Sequence, residues 1–172
     1  MNERNKTTDL LASLQEEMDW LNNAADILKY SYDTCSRIGV KQEYTYEELD
    51  KFEAFTVRFA RVSDLLIEKI FRRIAAVDQE ISGTVREHIQ RAEEKQLISN
   101  AGIFFAIRLI RNQVAHEYIQ HEIQELYLKV LEYTPPLLDS VKRVKNHCRQ
   151  YGYHIKVQTS PRHTSNPIPS PL

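Results

Sequence analysis

The sequence predicts an all-α fold, an antiparallel bundle of four to five helices. Only four glycines occur in 172 residues, and four of the six prolines lie between Pro161 and Pro171, so few residues interrupt a helix before the C-terminal end. Apolar residues recur at steps of three and four over most of the chain, as they do along one face of a helix. No run alternates apolar and polar residues over the length of a strand. Long helices with short connections favour an antiparallel bundle.

The first two helices are predicted from long apolar faces. In the first helix this face extends from Leu11 to Tyr32, and the helix should end near Gly39, since glycine suits a left-handed C-terminal cap. The second helix should begin near Tyr46, and its apolar spacing continues to Val77 without a Gly or Pro. It is the longest uninterrupted element in the pattern.

The third and fifth helices each carry a local signal. Thr84 followed three residues later by Glu87 has the form of a capping box, which predicts a short helix that ends at about Lys95. Residues 123–148 keep the helical spacing but contain Thr-Pro-Pro at 134–136. Proline removes an amide donor and clashes with the preceding turn, so we expect either a kink or a break with the threonine capping a new segment.

The fourth helix is predicted over residues 101–116, capped by Ser99 or Asn100. At 100° per residue, one apolar stripe faces nearly opposite two further apolar residues, Phe105 and Leu109. Such a helix needs two covered faces. We therefore expect one face to pack in the core and the other, with Phe105 and Leu109, to form the interface of a homodimer or of a complex with another partner. The core stripe comprises Ile103, Ala106, Ile107, Ile110 and Val114.

Two regions are predicted from composition. Residues 1–152 form one helical domain, since a chain of this size buries enough surface for a core without disulfides. Residues 153–172 form a tail rich in Pro, Ser and Thr that lacks a helical period, which indicates a segment either disordered or docked in extended form.

Composition also limits the partners and the compartment. The chain has 23 Lys plus Arg against 24 Asp plus Glu, a formal charge of −1, so nucleic-acid binding would have to depend on a local site. Its two cysteines, and the absence of an apolar run behind a basic stretch, favour a cytoplasmic protein over a secreted one. No stretch approaches the ~20 apolar residues of a membrane span, so we expect no contact with a membrane.

The residues that carry chemistry lie at the end of the fourth helix. Arg111 can hold a phosphate through two hydrogen bonds, and His116 can act as a base toward a ribose 2′-hydroxyl or as an acid toward a leaving 5′-oxygen. Five residues separate them, so on a straight helix they point about 140° apart. A shared site needs a bend or a second subunit. In the alternative interpretation, Arg111 pairs with a carboxylate, His116 is an interface histidine and Tyr118 fills the core.

The segment resembles a known family. Arg111, Asn112, His116 and Tyr118 stand as R-N-x-x-x-H-x-Y, which is similar to the RX4HXY signature of HepT toxins in the HEPN superfamily. The resemblance extends over roughly residues 8–150, because a long second helix and a short third helix precede the motif helix. It implies a HEPN-like bundle that dimerises through the motif-bearing helix.

The resemblance also implies the activity and its control. HepT-like proteins are metal-independent endoribonucleases, so Arg111 and His116 would be catalytic, Asn112 would support His116, and no cofactor is expected. Their partner is a MntA-like nucleotidyltransferase antitoxin that attaches AMP to the tyrosine of the motif. Tyr118 would be that acceptor. The substrate would be RNA and not DNA, because the chemistry requires a 2′-hydroxyl.

Two alternative interpretations concern the same residues. The chain could be a non-catalytic subunit that binds substrate or nucleotide for a minimal nucleotidyltransferase, although the intact Arg111, His116 and Tyr118 favour the nuclease. A zinc site is not expected, because His116 and His121 are five residues apart, whereas H-E-x-x-H places its histidines four apart. The remaining histidines lack ligands at metal spacing and are interpreted as surface residues, namely His88, His147, His154 and His163.

Overall fold

The computed structural model describes the backbone of residues 3–116 and 120–153 and the side chains of residues 5–115 and 123–153. Within these ranges all regular structure is helical and no strand occurs, so the all-α prediction is confirmed. The tail from residue 154 onward lies outside the described residues. The elements are α1 (Glu3–Ile38), α2 (Tyr46–Asp64), a π-helical segment (Leu65–Ile70), α3 (Phe71–Val77), α4 (Val85–Glu94), α5 (Ala101–His116), α6 (Gln120–Cys148) and a 3-10 turn (Arg149–Tyr151).

The helix ends follow the predicted caps. Gly39 has φ +74° and its N–H donates to the carbonyl of Cys35 at 2.9 Å, which ends α1. The Thr84 hydroxyl accepts from the N–H of Glu87, whose carboxylate accepts from the N–H of Thr84, so the predicted capping box begins α4. The Asn100 side chain accepts from the N–H of Ile103 and caps α5. These local hydrogen bonds fix where the helices start and stop.

α2, the π-helical segment and α3 follow one another without a break and form the long second helix predicted from the sequence. The π-helical segment is a departure from that prediction. The N–H of Phe71 donates to the carbonyl of Leu66, five residues earlier rather than four. The wider turn changes the phase of every side chain that follows it.

α6 is continuous through Pro135 and Pro136, so the predicted alternative of a break at this point is wrong. Thr134 does not cap a new segment. Its hydroxyl donates to the carbonyl of Val130 at 2.6 Å, one turn earlier in the same helix. Thr134 is fully buried, and this internal hydrogen bond satisfies its hydroxyl.

The helices pack around one apolar core. α1 lies against α2, α3 and α6, while α5 lies against α2, α4 and α6. Phenylalanines of α2 and apolar residues of α1 supply the centre of the core. None of the helices in the described part of the chain is long and apolar enough to cross a membrane. The largest fully buried side chains include Phe52, Phe55, Phe59, Phe104, Met18, Leu21, Leu28, Leu66, Ile70 and Ile74.

Tyr153, which the sequence places at the start of the tail, packs with the helical domain instead. Its side chain is buried, its hydroxyl accepts a hydrogen bond from Asn22 and it donates to Asp19 at 3.4 Å, both on α1. Burial raises the pKa of Tyr153 to about 12, with the Asp19 charge acting in the same direction. The helical domain therefore includes Tyr153.

Candidate functional site at the end of α5

The buried face of α5 fixes the orientation of the candidate site. Phe104 and Ile107 are fully buried and Ile110 nearly so, and the ring of Phe104 lies 6.0 Å from that of Phe71. The predicted core stripe included Ile103, but Ile103 is only partly buried and Phe104 takes its place. Ile107 and Ile110 are buried as predicted, and the buried face extends from them toward Ala101 and Phe104 and not toward Ile103. This orientation directs Arg111 toward the long second helix.

Arg111 forms a bidentate ion pair with Asp64, the last residue of α2. Nε of Arg111 lies 2.6 Å from one carboxylate oxygen and Nη2 lies 2.8 Å from the other. The side chains remain 36% and 41% exposed. The hydrogen bonds to Asp64 and its charge raise the pKa of Arg111 above its usual value, so the guanidinium is always charged. The alternative prediction, that Arg111 pairs with a carboxylate, is confirmed.

The Arg111–Asp64 pair bridges the two walls of a surface cleft of about 330 Å³ between α5 and the second helix. Arg108 lies one turn before Arg111 and faces Glu68 at 3.6 Å, a distance too long for a strong hydrogen bond. Two guanidinium groups therefore line the same wall, which suits the cleft for an anion. The cleft is lined by Ser63, Asp64, Ile67, Glu68, Lys69, Arg108, Arg111 and Asn112.

The π-helical segment supplies much of the opposite wall. On an α-helix each step of four residues drifts by about 40° around the axis. The wider π turn changes the direction of this drift, and Asp64 and Glu68, which lie four residues apart at the start of the segment, both line the cleft beside α5. π-Helical turns occur frequently at functional sites, where they re-aim side chains. Here the turn presents two carboxylates to two arginines.

The second face of α5 is uncovered in the described chain. Leu109 is 67% exposed, and Asn112 is exposed beside it. Phe105 is partly buried, with the guanidinium of Arg86 5.0 Å from its ring centroid. The predicted dimer interface through Phe105 and Leu109 stays a prediction.

The structure brings Arg111 and Asn112 to one cleft, and the other two motif residues lie partly or wholly outside the described residues. His116 is the last residue of α5, and its side chain lies outside the described residues. Tyr118 lies wholly outside them. The predicted convergence of His116 with Arg111, and the accessibility of Tyr118, stay predictions.

Several cleft residues were not singled out as site residues from the sequence, namely Ser63, Ile67, Glu68, Lys69 and Arg108. Asp64 and Glu68 stand four residues apart among arginines of the second helix, a pattern that also fits a solvated surface. Their partners, Arg108 and Arg111, are at least forty positions away along the chain. The packing of α5 on the second helix is needed to bring these charges together.

The histidines away from the motif differ in burial. His88 is buried and neither ring nitrogen has a hydrogen-bond partner within the described residues, so its interpretation as a surface residue is wrong. His147 is partly buried beside Tyr151, and burial lowers its pKa. His154 and His163 lie outside the described residues. Among described side chains, no three His, Cys, Asp or Glu residues are grouped so as to hold a metal ion.

No protein-family model matches this chain, and no curated protein or solved structure matches it. The resemblance to HepT toxins therefore depends on the motif in residues 111–118 and on the position of that motif at the end of a helix in an all-α bundle. The fold places Arg111 and Asn112 of the motif on the wall of a cleft.

The half-exposed Arg111–Asp64 ion pair should contribute little to the free energy of unfolding. We expect a double-mutant cycle with Asp64→Asn and Arg111→Gln to give a coupling energy below about 1 kcal/mol, because water screens both charges. The matched control is Arg73 with Glu17, whose carboxylate side chain is only 9% exposed and accepts two hydrogen bonds. The coupling energy of the Arg73–Glu17 pair should exceed about 1.5 kcal/mol. Urea unfolding of both cycles measures the difference, and equal couplings would contradict the argument.

Proposed function

We propose that this chain is the toxin of a toxin–antitoxin pair, a metal-independent endoribonuclease that acts on RNA in the cytoplasm. The observation that carries the proposal is the placement of Arg111. Its guanidinium lies in an open cleft with a second arginine, and the carboxylate that holds it is exposed enough to be displaced by a phosphate. The motif histidine follows five residues later along α5.

The chemistry assigns a role to each catalytic residue. Arg111 exchanges Asp64 for the scissile phosphate and stabilises the charge that develops on its oxygens. The ribose 2′-oxygen attacks phosphorus, the bond to the 5′-oxygen breaks, and the 2′-proton is lost while the 5′-oxygen gains a proton. His116 transfers one of these protons. The products are a 2′,3′-cyclic phosphate and a 5′-hydroxyl.

A homodimer through α5 would complete the site. Arg111 and His116 are five residues apart on a helix, so one straight helix directs them about 140° apart. A second copy packed on the face of Phe105 and Leu109 would bring its own motif residues to the same cleft region. The exposure of Leu109 supports this arrangement, because burying a leucine contributes roughly 2 kcal/mol of apolar transfer energy.

Control would act through Tyr118. A MntA-like nucleotidyltransferase would transfer AMP to the tyrosine hydroxyl and release the pyrophosphate of ATP. The attached phosphate adds negative charge near the arginines that are proposed to bind RNA, and repulsion between like charges would then exclude the substrate. Asn112, exposed on α5 one turn before His116, would support the histidine.

The purified protein should cleave cellular RNA in the presence of a metal chelator and leave 2′,3′-cyclic phosphate ends. Arg111→Ala and His116→Ala should each lower the rate at least about 100-fold, since each removes a proton-transfer or charge-stabilising group. Arg143→Ala is the control, because Arg143 is also half-exposed and paired with a carboxylate but lies on α6. Gel assays with end-group analysis measure the outcome.

Full activity in both motif variants would contradict the catalytic assignment. A wild-type protein that cleaves no RNA, but raises the activity of the cognate nucleotidyltransferase, would instead establish the non-catalytic subunit as the correct alternative.

Leu109→Asp should split the proposed dimer. A carboxylate buried in an apolar contact costs several kcal/mol, so the dissociation constant should rise on the order of 100-fold or more. Ile27→Asp is the control, since Ile27 is also a partly exposed apolar residue but lies on α1. Analytical ultracentrifugation with a parallel RNA-cleavage assay should show loss of both properties for Leu109→Asp only. A wild-type monomer that cleaves RNA at micromolar concentration would overturn this part of the proposal.

Co-expression with the cognate nucleotidyltransferase should add AMP to the peptide that contains Tyr118. The Tyr118→Phe variant should keep its nuclease activity, because the ring is retained, but should resist neutralisation. Intact-protein and peptide mass spectrometry with a growth assay make the measurement. If the partner neutralises Tyr118→Phe as well as wild type and no AMP appears on Tyr118, neutralisation occurs by binding and this assignment fails.

A further inference from the structure

A second cleft adjoins the cleft at Arg111 along the long second helix. The second cleft has a volume of about 350 Å³ and lies between α1 and α3. Both clefts are lined by Glu68 and Lys69, so they meet at these two residues, and we call the two clefts together the groove. From Asp64 to Arg72 the helix rises on the order of 10 Å, a length that spans a few nucleotides.

The groove has a local positive charge that the chain as a whole lacks. Five cationic side chains and three carboxylates line it, whereas the formal charge of the whole chain is −1. Three of these cations face carboxylates. Lys69 and Arg72 are both exposed and form no ion pair within the described residues. They are free to contact successive phosphates.

An exposed aromatic ring borders the groove beside these cations. Trp20 on α1 is 45% exposed, and Nζ of Lys69 lies 5.3 Å from its ring centroid. It is the only tryptophan in the chain. An exposed indole next to unpaired cations has the composition of a surface on which a base stacks while its phosphate is neutralised.

We propose that this groove binds single-stranded RNA, with phosphates on Lys69 and Arg72 and one unpaired base stacked on Trp20. The inference rests on the proposed ribonuclease function for the choice of RNA as ligand, and it adds the substrate class. A base within a duplex is already stacked on its neighbours, so Trp20 selects RNA that is single-stranded beyond the cleft at Arg111. Trp20 is then a residue that determines specificity, and Lys69 and Arg72 position the strand.

Binding to 2′-O-methyl oligouridine tests this groove with the wild-type protein, because the blocked 2′-oxygen prevents cleavage. Stacking on the single tryptophan should quench its emission saturably, and a duplex of equal length should quench it weakly. In an anisotropy assay Trp20→Ala should weaken binding about tenfold, and Trp20→Phe should restore most of the loss. Lys69→Gln and Arg72→Gln should each weaken binding and reduce the salt slope by about one.

Tyr30→Ala and Arg37→Gln are the matched controls, since both residues are exposed on α1 but line neither cleft, and both variants should bind like wild type. Circular dichroism checks that all variants are folded.

Unmodified RNA is assayed for cleavage in parallel, so that failure of the groove and failure of the proposed function give different results. The groove assignment is wrong, and the nuclease stands, if three results occur together. Wild type cleaves RNA, RNA does not quench the tryptophan emission of wild type, and Trp20→Ala binds RNA with unchanged affinity. If RNA binds and quenches without cleavage, the groove stands and the proposed catalysis fails. Equal quenching and affinity for the duplex would overturn the single-strand selectivity, and the absence of any RNA binding would overturn both proposals.

Discussion

The packing of α5 against the long second helix is the contact on which the candidate site depends. Phe104 and Ile107 are buried in that contact, and they fix the rotation of α5 about its own axis. A helix turned by one residue would rotate every side chain by about 100°. Arg111 would then lose Asp64, and Leu109 would no longer face outward. The apolar contact therefore decides which charged groups meet, although it contains no charge itself.

The ion pairs of the groove differ in the ease with which a ligand could displace them. The Glu17 carboxylate is almost fully buried and receives two hydrogen bonds from Arg73, so removal of one partner would leave a charge without compensation. Asp64 holds Arg111 at a similar distance but in contact with water. The Arg73–Glu17 pair is thus suited to join α1 to α3, and the Arg111–Asp64 pair is suited to exchange its carboxylate for a phosphate.

Much of the fold could be predicted from the sequence, because helix ends depend on local hydrogen bonds. The caps at Gly39, Thr84 and Asn100 each involve groups within a few residues of one another. Where the prediction failed, a longer-range effect dominated. α6 stays helical through Pro135 and Pro136, and contacts with α1 hold Tyr153 in the helical domain.

The all-α class, the helix boundaries and the location of the motif residues Arg111 and Asn112 near the end of α5 can be derived from the sequence, since each follows from periodicity or local capping. The pairing of Arg111 with Asp64, and the position of Lys69 between two clefts beside Trp20, depend on how the helices pack. These contacts join residues roughly fifty positions apart. They depend on the wider turn of the π-helical segment and on the rotation of α5, and both are set by how the side chains of several helices fill one core.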